Sequence, residues 1–352
     1  MTIAILTFHR ALSFGANLQC YALQETLKSL GCNAGVLDYR QPYIEKHYKP
    51  FQLHYIRRYL LHPRGLILYL LDWKRRGKTY NLFRSFQNCY FNLISFNGKE
   101  LPRNVDKLLI GSDQMWSINY TGGIDECYFG NISHTNIQQI ATYALSANEN
   151  SLMQIGELYL KRYSENFSYF SFREANIATL FKKMTGKDSI LCLDPTLLTC
   201  KSTWEPLIDK NWKNHNYVVV FQVHVAGGNM KNAVNIAKEI AKKSNLEVIN
   251  INNMIIDPSA FISIIRFAKF VVTTSFHGTA FSIIFHREFV TLKVNETIDA
   301  RSSDILSKLN IGNRMISLGE SLPLSKIDYN DVDEKLNSLR ISSIEYLKTF
   351  IS

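Results

Sequence analysis

The sequence predicts an α/β protein built from two Rossmann-like parallel-sheet domains that face a cleft, with a helix closing the chain. Three observations carry this expectation. Short apolar runs alternate with stretches whose apolar residues recur every three or four positions, in both halves of the chain. The first of these runs form a strand–helix–strand unit, whose crossover makes the two strands parallel. The length, 352 residues, is long for one domain and comfortable for two.

Taken in order, Ile3 to Phe8 reads as a strand, and Ser13 to Ala16 as a turn. A helix with apolar spacing follows through Leu18, Tyr21, Ala22 and Leu27 to Leu30. Gly31 stops it, and Ala34 to Tyr39 is the next strand. An insertion over about 40–100 interrupts the pattern. Strands resume at Lys107 to Ile110 and Ile137 to Tyr143, a helix runs from about Leu152 to Glu165, and Tyr169 to Phe172 is a strand. A helix over Glu174 to Met184 and a strand over Ile190 to Leu193 complete a first domain of residues 1–200. A polar stretch over 201–216 reads as a linker. The second domain, 217–330, has strands at Tyr217 to Val223, Glu247 to Ile251, Phe270 to Thr273 and Glu288 to Lys293. Helices lie between them at Met230 to Lys243 and Pro258 to Phe267, and a terminal helix spans 331–352. Two such domains and a closing helix are the plan of the GT-B architecture. Ligands of these sheets bind beyond the carboxyl ends of the strands, so the site is expected in the cleft.

Composition narrows the class. A hydrophobic fraction of 46% and a charged fraction of 20% exclude a disordered or collagen-like chain. The six cysteines show no CxxC spacing, so no zinc or redox motif follows and buried free thiols are expected. No HExxH or compact His/Cys cluster suggests a metal. The start lacks the basic region of a signal peptide, and no apolar run approaches the ~20 residues of a membrane span. A cytoplasmic protein is expected.

The net charge of +10 is concentrated. Between Arg40 and Tyr90 there are eleven Lys or Arg and two acids, interleaved with aromatic residues such as Tyr43, Tyr55, Trp73 and Phe86. Basic plus aromatic suits an anionic membrane surface or a nucleic acid, or a solvated helical insertion. Arg57, Arg58, Arg64, Lys74, Arg75, Arg76 and Lys78 flank apolar runs such as Leu66 to Leu71, the pattern of an interfacial helix.

Unusual residues gather at strand ends. Thr274-Ser-Phe-His-Gly-Thr279 follows a strand and opens an apolar helix. Backbone N–H groups and the helix dipole make such a start an anion site, Gly278 lets a ligand approach, and His277 can exchange a proton. A cap by Ser275 beside an incidental His277 is the plainer reading. Asp113 and Gln114 could grip sugar hydroxyls, with Trp116 stacking on a sugar face, or could form an Asx turn. Arg173 is either ion-paired, with Glu174 or another carboxylate, or an anion clamp. Asp194-Pro195-Thr196 reads as a turn, and Asn17 and Gln19 as cleft residues or caps.

Five segments in order resemble the polysaccharide pyruvyl transferase family: Phe14-Gly-Ala-Asn-Leu-Gln-Cys-Tyr-Ala-Leu23, Leu109-Ile-Gly-Ser-Asp-Gln-Met-Trp116, Ser171-Phe-Arg-Glu174, Leu193-Asp-Pro-Thr-Leu-Leu198 and Val272-Thr-Thr-Ser-Phe-His-Gly-Thr279. Asn295 and Arg301 look like the family's downstream Asn and Arg, and the 40–100 segment finds no match. The resemblance implies a cofactor- and metal-independent transfer from phosphoenolpyruvate to a sugar, giving a cyclic pyruvate ketal. The acceptor would be a polyprenyl-pyrophosphate-linked glycan of a capsule or exopolysaccharide. The enzyme would be peripheral on the inner face of the cytoplasmic membrane. In that setting His277 and Asp113 would be catalytic. Arg173, Ser275, His277, Gly278, Thr279 and Arg301 would bind the donor, and Asn17, Gln19, Asp113 and Gln114 the acceptor. A glycosyltransferase using a nucleotide sugar remains an alternative, as does a non-catalytic glycan- or nucleic-acid-binding protein. The first would need a base-binding pocket in the second domain, and the second would leave His277 without a purpose.

Overall fold

The computed structural model describes residues 1–51, 63–223, 229–323 and 325–352. The chain divides into two units, residues 1–198 with 342–352, and residues 199–341.

The first unit is a five-stranded, wholly parallel sheet in the order β3-β2-β1-β4-β5. Its strands are β1 (Thr2–Leu6), β2 (Asn33–Leu37), β3 (Leu93–Ile94), β4 (Lys107–Gly111) and β5 (Gln139–Tyr143). Alternate residues face opposite sides, as a two-residue period requires. Ala4, Leu6, Leu108 and Ile110 join one core cluster, and Ile3, Ile5, Leu109 and Ala141 the other. The helix Phe14–Ser29 makes the first crossover. The expected turn at Ser13 is its cap: Ser13 Oγ accepts from the Ala16 N–H. Tyr346, Leu347 and Phe350 of the terminal helix Tyr329–Ile351 pack on the second face, and Lys107 Nζ donates to the carbonyls of Phe350 and Ile351.

Two short strands, β6 (Ser171–Phe172) and β7 (Ile190–Leu191), pair in parallel beside β5. The helix expected over 152–165 is two, Glu149–Ile155 and Glu157–Ser164. Gly156, at φ 87°, breaks the run.

The 40–100 insertion contributes the sheet-edge strand β3 and the long helix Pro63–Tyr90. An insertion lying wholly in solvent or on a membrane is therefore ruled out. Phe83, Phe86 and Gln87 are buried. Gln87 Nε2 donates to His9 O and Asn17 Oδ1, and Arg84 pairs with Glu45.

The second unit is a five-stranded parallel sheet in the order β12-β11-β10-β8-β9. These strands are β8 (Tyr217–Phe221), β9 (Glu247–Asn250), β10 (Phe270–Thr273), β11 (Glu288–Leu292) and β12 (Met315–Ile316). The stretch expected as a linker folds into two 3-10 helices, Lys201–Leu207 and Lys210–Asn214. Trp204 is fully buried, edge-on to Phe281 at 4.8 Å. The cysteines are all free thiols. Cys20, Cys32, Cys127 and Cys192 are buried as expected, whereas Cys89 and Cys200 are exposed. Among the described residues, no helix is long and apolar enough to cross a membrane.

Candidate functional site

In open α/β sheets ligands sit beyond the carboxyl ends of the strands, where the strand order reverses. In the first unit that point lies between β1 and β4. The β4 end is held close to β5. Gly111 has φ +149°, and a Cβ there would collide with Tyr143 O. Next along the chain, Ser112 presents both its carbonyl and its hydroxyl to Arg173 Nη2, the hydroxyl at 2.8 Å. The same nitrogen donates to Gln19 Oε1 at 2.9 Å, and Arg173 Nη1 meets Asp194 Oδ2 at 2.8 Å. Gln19 Nε2 donates in turn to Asp113 Oδ2 at 2.9 Å, while the Gln114 N–H holds Asp113 Oδ1 at 2.8 Å. A connected series thus runs from the buried Asp194 through Arg173 and Gln19 to Asp113, which is half-exposed.

This corrects several expectations. Arg173 is 5% exposed and paired with Asp194, so it is an internal strut and not an open anion clamp. Asp194-Pro195-Thr196 is more than a turn: Asp194 Oδ1 accepts from the Thr196 N–H and hydroxyl while Oδ2 meets Arg173. Gln19, 2% exposed, holds Asp113 by a hydrogen bond from its side-chain amide. Asn17 is wholly buried, donating to Ala11 O and Ser13 O. Trp116 is core: it stacks on Phe129 at 4.8 Å, and its indole N–H donates to Tyr128 O. Gln114 is half-exposed and accepts from Ser117 Oγ.

A cluster beside β1 and β2 escaped the motif reading. His9 is fully buried, with Nδ1 3.3 Å from Thr7 O and Nε2 3.3 Å from Asp38 Oδ1. Arg10 and Arg40 also pair with Asp38. Burial alone would raise the Asp38 pKa, but hydrogen bonds from His9 and Arg10 and the Arg10 charge outweigh it. They hold the carboxyl well below its ordinary range. Burial lowers His9 and keeps it neutral, against the pull of Asp38. The signal was a His-Arg pair directly after an apolar strand.

In the second unit the order reverses between β8 and β10. Thr273 Oγ1 donates to Phe221 O at 2.7 Å, and Thr274 Oγ1 exchanges hydrogen bonds with Val223, so the two strand ends are tied together. The helix Phe276–Ile284 starts there. Ser275 Oγ caps it through the Gly278 N–H, and Gly278 has no room for a Cβ against Thr273. Thr279 is buried, donating to Ser275 O and sharing a hydrogen bond with Thr291 Oγ1 at 2.6 Å. Ser275, Gly278 and Thr279, expected on the donor, therefore build the helix start. His277 is half-buried, edge-on to Phe276 at 5.2 Å. Arg301 lies over the Phe276 ring at 5.3 Å, on the helix Glu296–Lys308 that Asn295 caps. His277 and Arg301 thus flank one aromatic ring.

Gln222 was also missed. It follows β8, is 4% exposed, and among the described residues neither side-chain amide atom has a hydrogen-bond partner, although Asn252 grips its backbone on both sides. A buried amide left unsatisfied costs about 1–3 kcal/mol, and a bound polar ligand would relieve it. The signal was a lone amide ending the run Tyr217-Val-Val-Val-Phe221. Among the described residues, no group of three His, Cys, Asp or Glu could hold a metal ion.

The family model described as polysaccharide pyruvyl transferase matches residues 14–296. No curated protein matches the chain. Among solved structures it is similar to Methanocaldococcus jannaschii UDP-GlcNAc 2-epimerase in complex with UDP-GlcNAc and UDP. That match has 11% identity and a TM-score of 0.46, covering 100% of this chain and 99% of that one. It is also similar to S. aureus MnaA with UDP, at 9% identity and a TM-score of 0.45 over 97% and 90% of the chains. E. coli heptosyltransferase WaaC with ADP matches at 11% identity and a TM-score of 0.37 over 96% and 100%.

Proposed function

From the premise that this chain belongs to the polysaccharide pyruvyl transferase family, we propose that it moves the enolpyruvyl group of phosphoenolpyruvate onto a sugar of a lipid-linked surface-polysaccharide precursor. The family match over residues 14–296 carries the reading. Proton transfer to the donor's methylene carbon makes an oxocarbenium-like centre. One sugar hydroxyl attacks that centre and loses its proton, phosphate leaves with the C–O bonding pair to restore an oxocarbenium-like carbon, and a second hydroxyl adds there, losing its proton to the departing phosphate, to close the ketal. His277, half-buried at a helix start, is the proton donor in this scheme. Arg301 and the Gln222 amide take the donor's anionic and polar groups. Asp113, oriented by Gln19 and the Gln114 N–H, is the base facing the acceptor. The half-exposed Gln114 side chain lies beside it.

The same reading puts the enzyme in the cytoplasm, working on a polyprenyl-pyrophosphate-linked glycan at the inner membrane face. Its helix Pro63–Tyr90 supports this, since Ile67, Leu70, Leu71 and Trp73 are exposed beside Lys74 and Lys78. Purified protein, phosphoenolpyruvate and candidate lipid-linked glycans test the chemistry. The expected result is a product carrying one added pyruvyl ketal, one phosphate released per turnover, and an unchanged rate in chelator. Transfer from a nucleotide sugar, with phosphoenolpyruvate untouched, would overturn the reading.

A further inference from the structure

The strands at one side of the first sheet do not start level. β2 begins at Asn33, opposite Thr2 of β1, but β3 joins β2 only at Val36 and Leu37. Nearer the start of β2 a side chain takes over from the strand, as Asn92 Nδ2 donates to Ala34 O at 3.1 Å. At the amino edge of the sheet, beside this late start, lies a cavity of about 400 Å³. That volume is within the range of small-molecule sites, ~300–1,000 Å³. Thr2 and Asn33 line it from the sheet, Asn92 to Ser95 from β3 and its flanks, and Pro102 and Asn104 from the loop before β4. These residues, and the chain on either side of each, all belong to the described part of the molecule.

No charged side chain is among the residues that line the cavity, so the lining does not compensate a phosphate or a carboxylate. It is built from neutral amides and hydroxyls with an aliphatic wall. Asn33 Nδ2 is spent on Thr2 Oγ1 at 3.1 Å and Asn92 Nδ2 on Ala34 O, which fixes both amides. Among the described residues, their Oδ1 atoms, the Ser95 hydroxyl and the Asn104 amide have no partner. Ile94 forms part of the wall because position 35 is glycine: a Cβ there would come within 2.7 Å of Ile94 Cδ1. Amides and hydroxyls supply donors and acceptors side by side. A sugar ring asks for that combination, since each hydroxyl both donates and accepts while the ring's C–H face is apolar.

We propose that this cavity is a second saccharide site, taking a neutral stretch of the glycan remote from the sugar that receives the ketal. The assignment rests on the glycan acceptor proposed above. The cavity lies at the amino edge of the sheet, whereas Asp113 follows β4 at the carboxyl edge. A five-residue strand spans about 17 Å. A single sugar therefore occupies one place or the other, and only a glycan of several units reaches both. Two linked contacts reinforce each other through effective concentration, so a longer acceptor is held more tightly with no change at the reacting sugar.

Saturation-transfer NMR of the full chain with glucose, galactose, mannose, N-acetylglucosamine and lactose tests the site. Saturable binding of at least one of them is expected, weakened roughly tenfold or more by Ser95→Ala with Asn104→Ala, the scale of two lost neutral hydrogen bonds. Asn211→Ala, which removes an exposed amide of the second unit, leaves binding unchanged. Thermal melting of each variant checks that it is folded. In the transfer assay, KM is expected to fall as the acceptor glycan is lengthened. The double substitution removes that dependence and leaves kcat on the shortest acceptor as it was. The site is overturned if none of these sugars binds saturably, or if binding ignores the double substitution and is lost only in Asp113→Ala. A dependence of KM on acceptor length that survives the double substitution also overturns it. Absence of any pyruvyl transfer, with sugar binding lost as expected in the double variant, would refute the proposed reaction and leave the saccharide site standing.

Discussion

His277 and Gln222 sit on neighbouring strand ends of the second unit, and each makes a separable prediction at the scale of a single side chain. His277 is half-buried, and Ser275 and Thr279 supply side-chain hydrogen bonds at the start of its helix. Replacing it with alanine is expected to lower turnover roughly 10²-fold or more, the usual scale for a positioned acid or base, with little change in melting temperature. A variant that keeps near-full activity, or one that unfolds, removes His277 from the chemistry. Gln222→Leu behaves in the opposite way to an ordinary core substitution. It replaces two unsatisfied polar atoms, so the fold is expected to be as stable as the parent or more so. KM for phosphoenolpyruvate is expected to rise about tenfold, the cost of one hydrogen bond to a charged group. A loss of stability with unchanged KM would make Gln222 a purely structural residue.

At the scale of the element, the helix Pro63–Tyr90 has two opposed faces with different partners. Of the seven cations that suggested a membrane surface, Arg57 and Arg58 lie outside the described residues, as does the Arg64 side chain. Arg75 and Arg76 line a cavity with His47, Tyr48 and Lys49, and Lys74 and Lys78 lie on the outward face with Ile67, Leu70 and Leu71. Electrostatics from Lys74 and Lys78, about 1 kcal/mol each, is weak by itself, so among the described residues apolar insertion has to supply a comparable share. Co-sedimentation with anionic vesicles at low salt is expected, and is lost in high salt or on neutral vesicles. Leu70→Ser with Leu71→Ser is expected to weaken it at least as much as Lys74→Glu with Lys78→Glu. No pelleting with anionic vesicles at low salt would sink membrane docking while leaving the core half of the helix as described.

For the whole molecule, the buried His9–Asp38–Arg10 cluster ties stability to pH. His9 is held neutral, below its ordinary value of 6.5, so the unfolded chain takes up that proton first as pH falls. Stability is therefore complete above that value and declines as acid is added through it. Asp38 is held below its ordinary 3.8, so its contribution is present above that pH and is lost further into acid. The two act in the same direction. The melting temperature is expected to fall from pH 7 toward pH 5, and His9→Gln to flatten that slope even if the variant starts from a lower value. A slope that His9→Gln leaves unchanged would show that other groups carry the acid sensitivity.

Periodicity specified the parallel α/β architecture of both units. Buried parallel strands must be apolar runs and crossover helices must be amphipathic, and both patterns are local. The helix Pro258–Phe267 and the strand Phe270–Thr273 lie where spacing alone put them. The ordered motifs likewise marked the segments at strand ends, including the start of the helix bearing His277. What a local pattern does not encode is which way a polar side chain turns. Asn17 and Trp116 are residue types that serve sugar sites as readily as cores. Asn17 is claimed by Gln87, far along the chain, and Trp116 by Phe129 and Tyr128. Arg173 took Asp194 as its partner and not its neighbour Glu174 because β6 and β7 bring those two segments side by side. Gln222 drew no notice as one polar residue after a strand, and became conspicuous once its burial and its missing partners were known. Pattern is a property of neighbours along the chain, whereas burial and pairing are properties of neighbours in space. Only folding brings together residues as distant as Gln19, Asp113, Arg173 and Asp194.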